Sequence, residues 1–207
     1  RFELGEYDRG RELVIDPVLR FSTFLGGIAA NSSSGIAVDS AGSVYVTGSN
    51  AGAEYSLAGS LSSTNSGGVD AVVTKLVVNP STNALTLAYA TFLGGLGNDV
   101  GNRIAVDAAG SAFIAGSTSS ANFPLVNPLV TNNANRGNGD GFVTKLNFNG
   151  SSLSIGFSTY FGGTGIDDAV DIAVDSAGAP HITGFTGSID LPLANPLPGS
   201  ATLQGGF

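Results

Sequence analysis

A repeat with a period of 68 residues constrains the fold of this 207-residue chain more than any other feature. Phe21, Tyr89 and Phe157 stand 68 residues apart and begin the similar segments FSTFLGG, YATFLGG and FSTYFGG. The segments IAVDSAG, IAVDAAG and IAVDSAG, which begin at 36, 104 and 172, keep the same spacing. A fixed period of this length is typical of proteins built from stacked supersecondary units. We therefore interpret the chain as a repeat protein.

Each repeat unit reads as four short β-strands. In the first unit the strands are predicted at 35–39, 43–48, 71–78 and 85–93, because β-branched and aromatic residues fill these segments and turn-forming residues separate them. No window has the apolar period of an amphipathic helix, so helices should be nearly absent. Several strands are apolar at consecutive positions, which favours strands covered on both faces. A repeated unit of four strands predicts all-β, β-propeller blades of four antiparallel strands.

These residues resemble a known family. The motifs FSTFLGG, GIAVDSAGSVYVTGS and DAVVTKL resemble the bacterial beta-propeller repeat called SBBP, and the resemblance covers about residues 20–207. The second unit also carries the family's GSTSSANFP at 116–124, whereas the first unit departs from it and has no Phe-Pro at 48–56. The strand pair IAVDSAGSVYVTG is similar to NHL-type blades, in which the first strand is innermost. The resemblance implies a secreted or cell-surface protein and an architecture rather than a shared chemistry.

The domain organisation follows from the repeat. Residues 1–17 read as a β-hairpin around the turn at 8–10, the tail of an upstream domain or an N-terminal extension, with a boundary near Pro17. Residues 18–207 are then the propeller segment. We place the repeat units at about 35–93, 103–161 and 171–207, with the last incomplete and an isolated fourth strand at 20–25. Since closed propellers need about four to eight blades, these units leave the ring open.

Composition excludes several classes of function. The chain has no cysteine, methionine or tryptophan, which excludes disulfides and thiol chemistry. Its net charge of −8 argues against nucleic acid and anionic membrane surfaces as partners. No apolar run approaches the length of a membrane span.

The segments GGLGND and GGTGIDD pose a question about calcium. Each resembles half of a glycine-rich calcium repeat, but a single Gly-x-Asp supplies too few oxygen ligands for a 6–8-coordinate ion. We therefore interpret both segments as strand-ending turns in which glycine takes a positive φ and aspartate accepts nearby amides. No cofactor is expected. Calcium remains an alternative, and its best candidate ligands are Asp167, Asp168 and Asp171.

The recurring Asp-x-Ala-Gly segments predict tight turns. An aspartate at the first turn position can accept the amide two residues on, and glycine suits the fourth position. The residues concerned are Asp39 and Gly42, Asp107 and Gly110, and Asp175 and Gly178. The two lysines, Lys75 and Lys145, recur inside VTKL and are expected to be outward-pointing strand residues that snorkel or pair with a neighbour.

Two further features carry functional hypotheses. His181 is the only histidine, but it occupies the strand position of Tyr45 and Phe113, so we expect a structural role. The long loops after the second strands should emerge on one rim, with Tyr55, Phe123 and Leu191 at equivalent positions of the repeat. These residues are either partner-binding residues or residues that tuck each loop onto its blade.

We expect a non-catalytic extracellular module, structural or binding, with a protein or a glycan at the cell surface as its partner. One alternative is a subunit of a head-to-tail assembly or filament, in which a strand of one copy completes the unfinished blade of the next. A second alternative is a propeller lyase or hydrolase centred on His181.

Overall fold

The computed structural model describes residues 19, 21–53, 55, 59–129, 135 and 139–198. Ten strands and no helix occur in these ranges. The first eight are β1 (Asn31–Val38), β2 (Val44–Asn50), β3 (Asp70–Val78), β4 (Leu85–Leu93), β5 (Asp99–Val106), β6 (Ala112–Thr118), β7 (Asp140–Phe148) and β8 (Leu153–Phe161). The last two are β9 (Asp167–Val174) and β10 (Pro180–Thr186).

The strands form three antiparallel sheets that correspond to the repeat units. β1–β2–β3–β4 and β5–β6–β7–β8 are four-stranded sheets in chain order, and β9 pairs with β10 alone. The prediction of four-stranded antiparallel blades, two of them complete and without a closed ring, is confirmed. β4 has the predicted bounds, whereas β1 begins at Asn31 because 31–33 pair with the last three residues of β2.

The sheets stack through their first strands. β1 contacts β5 and β5 contacts β9, and β5 also lies against β2 of the preceding sheet. The fourth strands, β4 and β8, do not pack against each other in this way. The first strand of each blade is therefore the inner one, and the fourth lies at the periphery.

The core lies between the sheets, and β6 contributes to it on both faces. Ala112 and Ile114 belong to the cluster shared with the first sheet, which includes Tyr45 and Leu93. The alternate residues of β6, Phe113 among them, pack with Ala169 and Ile172 of β9. Because successive side chains of a strand point to opposite faces, this sandwiching accounts for the consecutive apolar residues in the sequence.

The stretch before the first sheet differs from the prediction. Residues 21–25 form no strand, and no strand in the described ranges pairs with them, although Thr23 and Leu25 lie beside β1. The predicted hairpin at 1–17 and the boundary at Pro17 lie outside the described residues. Within the described ranges no helix is long and apolar enough to cross a membrane.

Candidate functional site

The loops at one edge of the stacked sheets interlock and form the candidate site, which we call the rim. Because the strands are antiparallel, the β2–β3 and β4–β5 loops emerge at the same edge. The β4–β5 loop is held by side chains from the loop that follows β6: the amides of Leu96, Gly97 and Asn98 donate to Asn122 Oδ1, Ser120 Oγ and Ser119 Oγ at 2.7–2.8 Å.

Two buried carboxylates meet at the rim between the first and second blades. Asp70 begins β3 and Asp99 begins β5, and they are 1% and 0% exposed. Asp99 Oδ2 accepts the Gly95 amide at 2.8 Å and the Ser120 hydroxyl at 2.7 Å. Asp70 Oδ2 accepts the Ser66 amide at 2.8 Å. Burial raises the pKa of Asp70 above its ordinary value and the charge of Asp99 adds to the rise, while the Ser66 amide opposes it.

The same arrangement recurs between the second and third blades. Asp140 begins β7 and Asp167 begins β9, and both are buried. Asp167 Oδ2 accepts the Gly163 amide at 2.8 Å and the Ser188 hydroxyl at 2.6 Å. The two junctions therefore hold one carboxylate pair each, built from equivalent positions of the repeat.

The glycine pairs at these junctions form turns and the aspartates accept nearby amides, as predicted. The expectation that these glycines have a positive φ is wrong. None of the glycines at 94–97 and 162–165 has a left-handed φ. They are needed for close approach instead. A Cβ on Gly94 would lie 2.6 Å from Asp70 Oδ1, and one on Gly162 would lie 2.6 Å from Asp140 Oδ1. The absence of a side chain lets the carboxylates pack against the backbone.

Calcium ligation by the predicted triplet is not supported, because its three side chains go to different partners. Asp167 is bound at the rim, whereas Asp168 Oδ1 accepts Asn102 Nδ2 at 2.6 Å. Asp171 lies 3.8 Å from Arg103 Nε. Adjacent residues of a strand point to opposite faces, so a run of aspartates along β9 does not converge. Among the described residues no three acidic or histidine side chains form a metal-type cluster.

The three Asp-x-Ala-Gly turns lie at the edge opposite the rim. Each aspartate accepts two amides in its own turn, at 3.0 and 2.8 Å for Asp39, 3.0 and 2.8 Å for Asp107, and 2.9 Å for both in the case of Asp175. The turn glycines have left-handed φ values, 81° for Gly42, 79° for Gly110 and 80° for Gly178.

The two lysines lie on the third strands, β3 and β7, and pair with the aspartates of the first two turns. Lys145 Nζ lies 3.1 Å from Asp107 Oδ2, and Lys75 Nζ lies 3.7 Å from Asp39 Oδ2. Their side chains are 25% and 13% exposed, so the expectation that they point outward is wrong. Each ammonium group lies 4.7 Å from the centre of an aromatic ring, that of Phe113 for Lys145 and that of Tyr45 for Lys75. Partial burial against a ring and a carboxylate suits a structural cation.

The three loop residues proposed to bind a partner lie in different environments. Phe123 is buried, its ring centre lies 4.5 Å from that of Phe142, and its amide donates to Tyr160 Oη. This burial corrects the expectation that Phe123 contacts a partner and favours the interpretation that it tucks the loop onto its blade. Tyr55 is partly buried and bonds Thr74 Oγ1 at 2.9 Å. Leu191 is partly exposed and lines a shallow cavity beside β10.

His181 occupies the predicted strand position but lies on the open side of β10. Its side chain is 68% exposed, and Nε2 lies 3.2 Å from Asp175 Oδ2. In the first two sheets the equivalent residues, Tyr45 and Phe113, are covered by a third strand. Within the described ranges no third strand pairs with β10. The imidazole of His181 is therefore exposed to solvent and lies beside the aspartate of the neighbouring turn.

Sequence reasoning missed the carboxylate pairs. The sequence predicts Asp70 only as the first residue of the strand motif DAVVTKL, and Asp99 only as the end of the glycine turn GGLGND. A signal was available, because charged residues recur at the starts of strands that are otherwise apolar. What the sequence alone does not show is that the third strand of one blade begins beside the first strand of the next.

A family model supports the interpretation of these junctions as parts of a propeller. The model of the SBBP beta-propeller repeat matches residues 88–124, a segment that runs from β4 through β5 and β6 to the tucked Phe123. The match therefore spans the junction between the first and second sheets. No curated protein matches the chain.

Proposed function

The chain carries a beta-propeller repeat of the SBBP family, and we propose that it is a non-catalytic extracellular module that binds a protein at the cell surface through its rim. The observation that carries this proposal is a set of exposed aliphatic side chains on the rim loops. Ile28 and Leu96 occupy equivalent positions of the repeat and are 90% and 75% exposed. Ile166, in the next equivalent loop, is 56% exposed.

Exposed aliphatic side chains at one edge favour a protein partner. Contiguous apolar surface on a folded domain commonly marks an interaction site, and its burial on binding supplies most of the favourable free energy. A glycan presents mainly hydroxyl groups and would gain little from aliphatic tips. The interlocked backbone beneath Leu96 keeps its loop in place, which lowers the entropic cost of binding.

The test measures binding of the fluorescently labelled chain to intact bacterial cells. We expect the variant Ile28→Ser/Leu96→Ser to bind at least about tenfold more weakly, since two anchor side chains would no longer be buried. Val77→Ser is the matched control, because Val77 is 40% exposed but lies toward the other end of its strand. This control should bind as the original chain does, and all three proteins should give the same circular dichroism spectrum.

Treatment of the cells distinguishes the partner classes. Protease treatment should abolish binding, whereas loss of binding after glycosidase treatment alone would assign the partner to glycans. Unchanged binding by Ile28→Ser/Leu96→Ser would show that the rim is not the binding surface.

A second candidate function is head-to-tail assembly, and the free face of the first blade favours it. Ile36, Ile104 and Ile172 are equivalent, yet Ile36 is 69% exposed whereas the other two are 5% and 8% exposed. Each buried isoleucine packs on the preceding blade. At the other end, a cavity of about 370 Å³ opens beside β10, with Val143, Phe157 and Ile182 among its lining residues. A second copy of the chain, docked with its first blade against this end, would cover both surfaces.

Light scattering across a concentration series tests assembly. We expect the average mass in solution to rise as the protein concentration increases from about 1 to about 100 µM, because interfaces of micromolar affinity associate in this range. Ile36→Asp should abolish the rise, and the rim variant Ile28→Ser/Leu96→Ser should preserve it. A monomer at every concentration would contradict assembly while leaving the rim proposal intact.

A further inference from the structure

The buried carboxylate pair between the first two blades supports an inference that does not depend on the proposed binding role. We propose that Asp70 and Asp99 form a pH-sensitive junction, in which Asp99 stays ionised and Asp70 takes up a proton as the solution becomes mildly acidic. Proton uptake strengthens the contact between the start of β3 in the first blade and the start of β5 in the second.

The two carboxyl groups are close together and almost fully buried. The position of a Cβ on Gly94 lies 2.6 Å from Asp70 Oδ1 and 2.7 Å from Asp99 Oδ2, so these two oxygens are separated by no more than the sum of the two distances. Two carboxylates at such a separation repel each other strongly when they are removed from water. One of them then keeps its proton to a higher pH.

Hydrogen bonds decide which of the two carboxyl groups is protonated. Asp99 Oδ2 accepts both the amide of Gly95 and the hydroxyl of Ser120, and such donors stabilise a negative charge. Asp70 Oδ2 accepts the amide of Ser66, whereas Asp70 Oδ1 is buried and accepts no hydrogen bond. The Oδ1 atom of Asp99 has no partner either, so the ionised carboxylate keeps an acceptor for the proton of its neighbour.

No cation neutralises the pair within the part of the chain that the structure describes. Each lysine or arginine side chain in that part pairs with another aspartate: Lys75 with Asp39, Lys145 with Asp107 and Arg103 with Asp171. The strands on either side of Asp70 contribute uncharged residues, since Asn50 of β2 faces it in register and Gly94 follows β4. The repulsion between Asp70 and Asp99 is therefore relieved by a proton.

One further titratable group lies near the pair, on the far side of Asp99. Tyr160 of β8 donates to the carbonyl of Ser120, whose own hydroxyl bonds Asp99. Burial raises the pKa of Tyr160, and the charge of Asp99 adds to the rise. The phenol therefore stays neutral in acidic and neutral solution, and it does not compete for the proton.

The direction of the pH effect follows from the surroundings of Asp70. Burial raises its pKa and the charge of Asp99 adds to the rise, while the Ser66 amide opposes them. A carboxyl group whose pKa is raised by folding stabilises the native state fully below its unfolded-state pKa of about 3.9. That stabilisation disappears as the pH rises through the folded-state pKa. The junction should therefore be stronger in acidic than in neutral solution.

The hydrogen bonds beside the pair should report this change. The Gly68 amide donates to the Gly97 carbonyl at 3.2 Å, and the Asp99 amide donates to the Val69 carbonyl at 2.6 Å. The Val69 amide donates to Asn98 Oδ1 at 3.1 Å. These bonds join the β2–β3 loop to the β4–β5 loop, so repulsion between the two carboxylates should open them more often.

Titration of the carboxyl carbons of the unmutated chain by NMR tests where the proton lies. We expect the Asp70 resonance, identified by its loss in Asp70→Asn, to titrate above the ordinary aspartate value of about 3.9. The amides of Gly68 and Asp99 should exchange with deuterium faster above this transition than below it, after correction for the intrinsic pH dependence of exchange. A midpoint at or below about 3.9 would overturn the proposal.

The variant Asp70→Asn fixes the neutral form, because an amide resembles a protonated carboxyl group in shape and can donate to Asp99. At about pH 8 we expect it to melt about 2–4 °C above the unmutated chain, and the difference should vanish as the pH falls to about 4. Asp171→Asn is the matched control, since Asp171 is a strand aspartate that is 60% exposed beside Arg103, and it should gain nothing at the higher pH. Equal melting temperatures for Asp70→Asn and the unmutated chain at every pH would show that the junction does not respond to a proton.

Discussion

Single residues in the Asp-x-Ala-Gly turns show how charge and backbone conformation act together. Burial tends to raise the pKa of Asp107, but the amide of Ser111 and the ammonium group of Lys145 outweigh it, so the pKa lies below its ordinary value. A carboxylate whose pKa is lowered by folding stabilises the native state above its unfolded-state pKa, near about 3.9. That stabilisation disappears as the pH falls through the folded-state pKa.

In the variant Asp107→Asn, the free energy of unfolding should therefore fall less steeply as the pH is lowered. At pH 7 we expect the variant to lose about 1 kcal/mol of the free energy of unfolding, because the amide oxygen still accepts backbone hydrogen bonds but the partner of Lys145 is lost. The two proteins should converge once the pH has fallen through the lowered pKa of Asp107. Urea unfolding at a series of pH values measures this, and parallel curves for the two proteins would contradict it.

Gly110 should tolerate asparagine far better than valine. Its φ of 79° is left-handed, and a Cβ there would lie 3.3 Å from Tyr45 Oη. We expect Gly110→Val to cost about 2 kcal/mol or more in unfolding free energy. Gly110→Asn should cost less than half as much, since asparagine already takes positive φ at 83, 127 and 195 of this chain. Equal melting temperatures for the two variants would contradict the backbone explanation.

At the scale of the strand, position in the stack decides what an identical residue contributes. Ile36 in β1 and Ile104 in β5 belong to the same motif, but within the described residues only Ile104 packs against a preceding blade. We expect Ile104→Ala to cost about 2–5 kcal/mol and Ile36→Ala to stay within about 0.5 kcal/mol. Chemical denaturation at low protein concentration measures both, and similar losses would show that the stacking explanation is wrong.

At the scale of the whole molecule, stability should follow how completely each blade is covered. The second blade has a sheet on either side, whereas β9–β10 has a neighbouring sheet on one side only in the part of the chain that the structure describes. Strands that are covered on both faces open less often, so their amides exchange more slowly. Exchange measured by mass spectrometry should therefore protect β6 and β7 most and β10 least. Uniform protection across β6, β7 and β10 would contradict this ranking.

The sequence by itself determined the repeat, the four strands of each blade, their antiparallel order and the turns that join β1 to β2. These features depend on local signals, namely β-branched runs, turn residues and a fixed period, which one chain segment carries alone. Even the double-sided burial of β6 was predictable, because consecutive apolar residues have one simple explanation in a strand.

Only the tertiary structure decided the pairing of Asp70 with Asp99, the role of Gly94 and the contrast between Ile36 and Ile104. Asp70 and Asp99 start different strands in different sheets, and they meet because β5 packs against the first blade. Gly94 is conformationally ordinary, and what excludes a side chain there is a carboxylate from another strand. Such properties arise from neighbours distant in sequence, so they follow from how the blades stack and not from any local pattern.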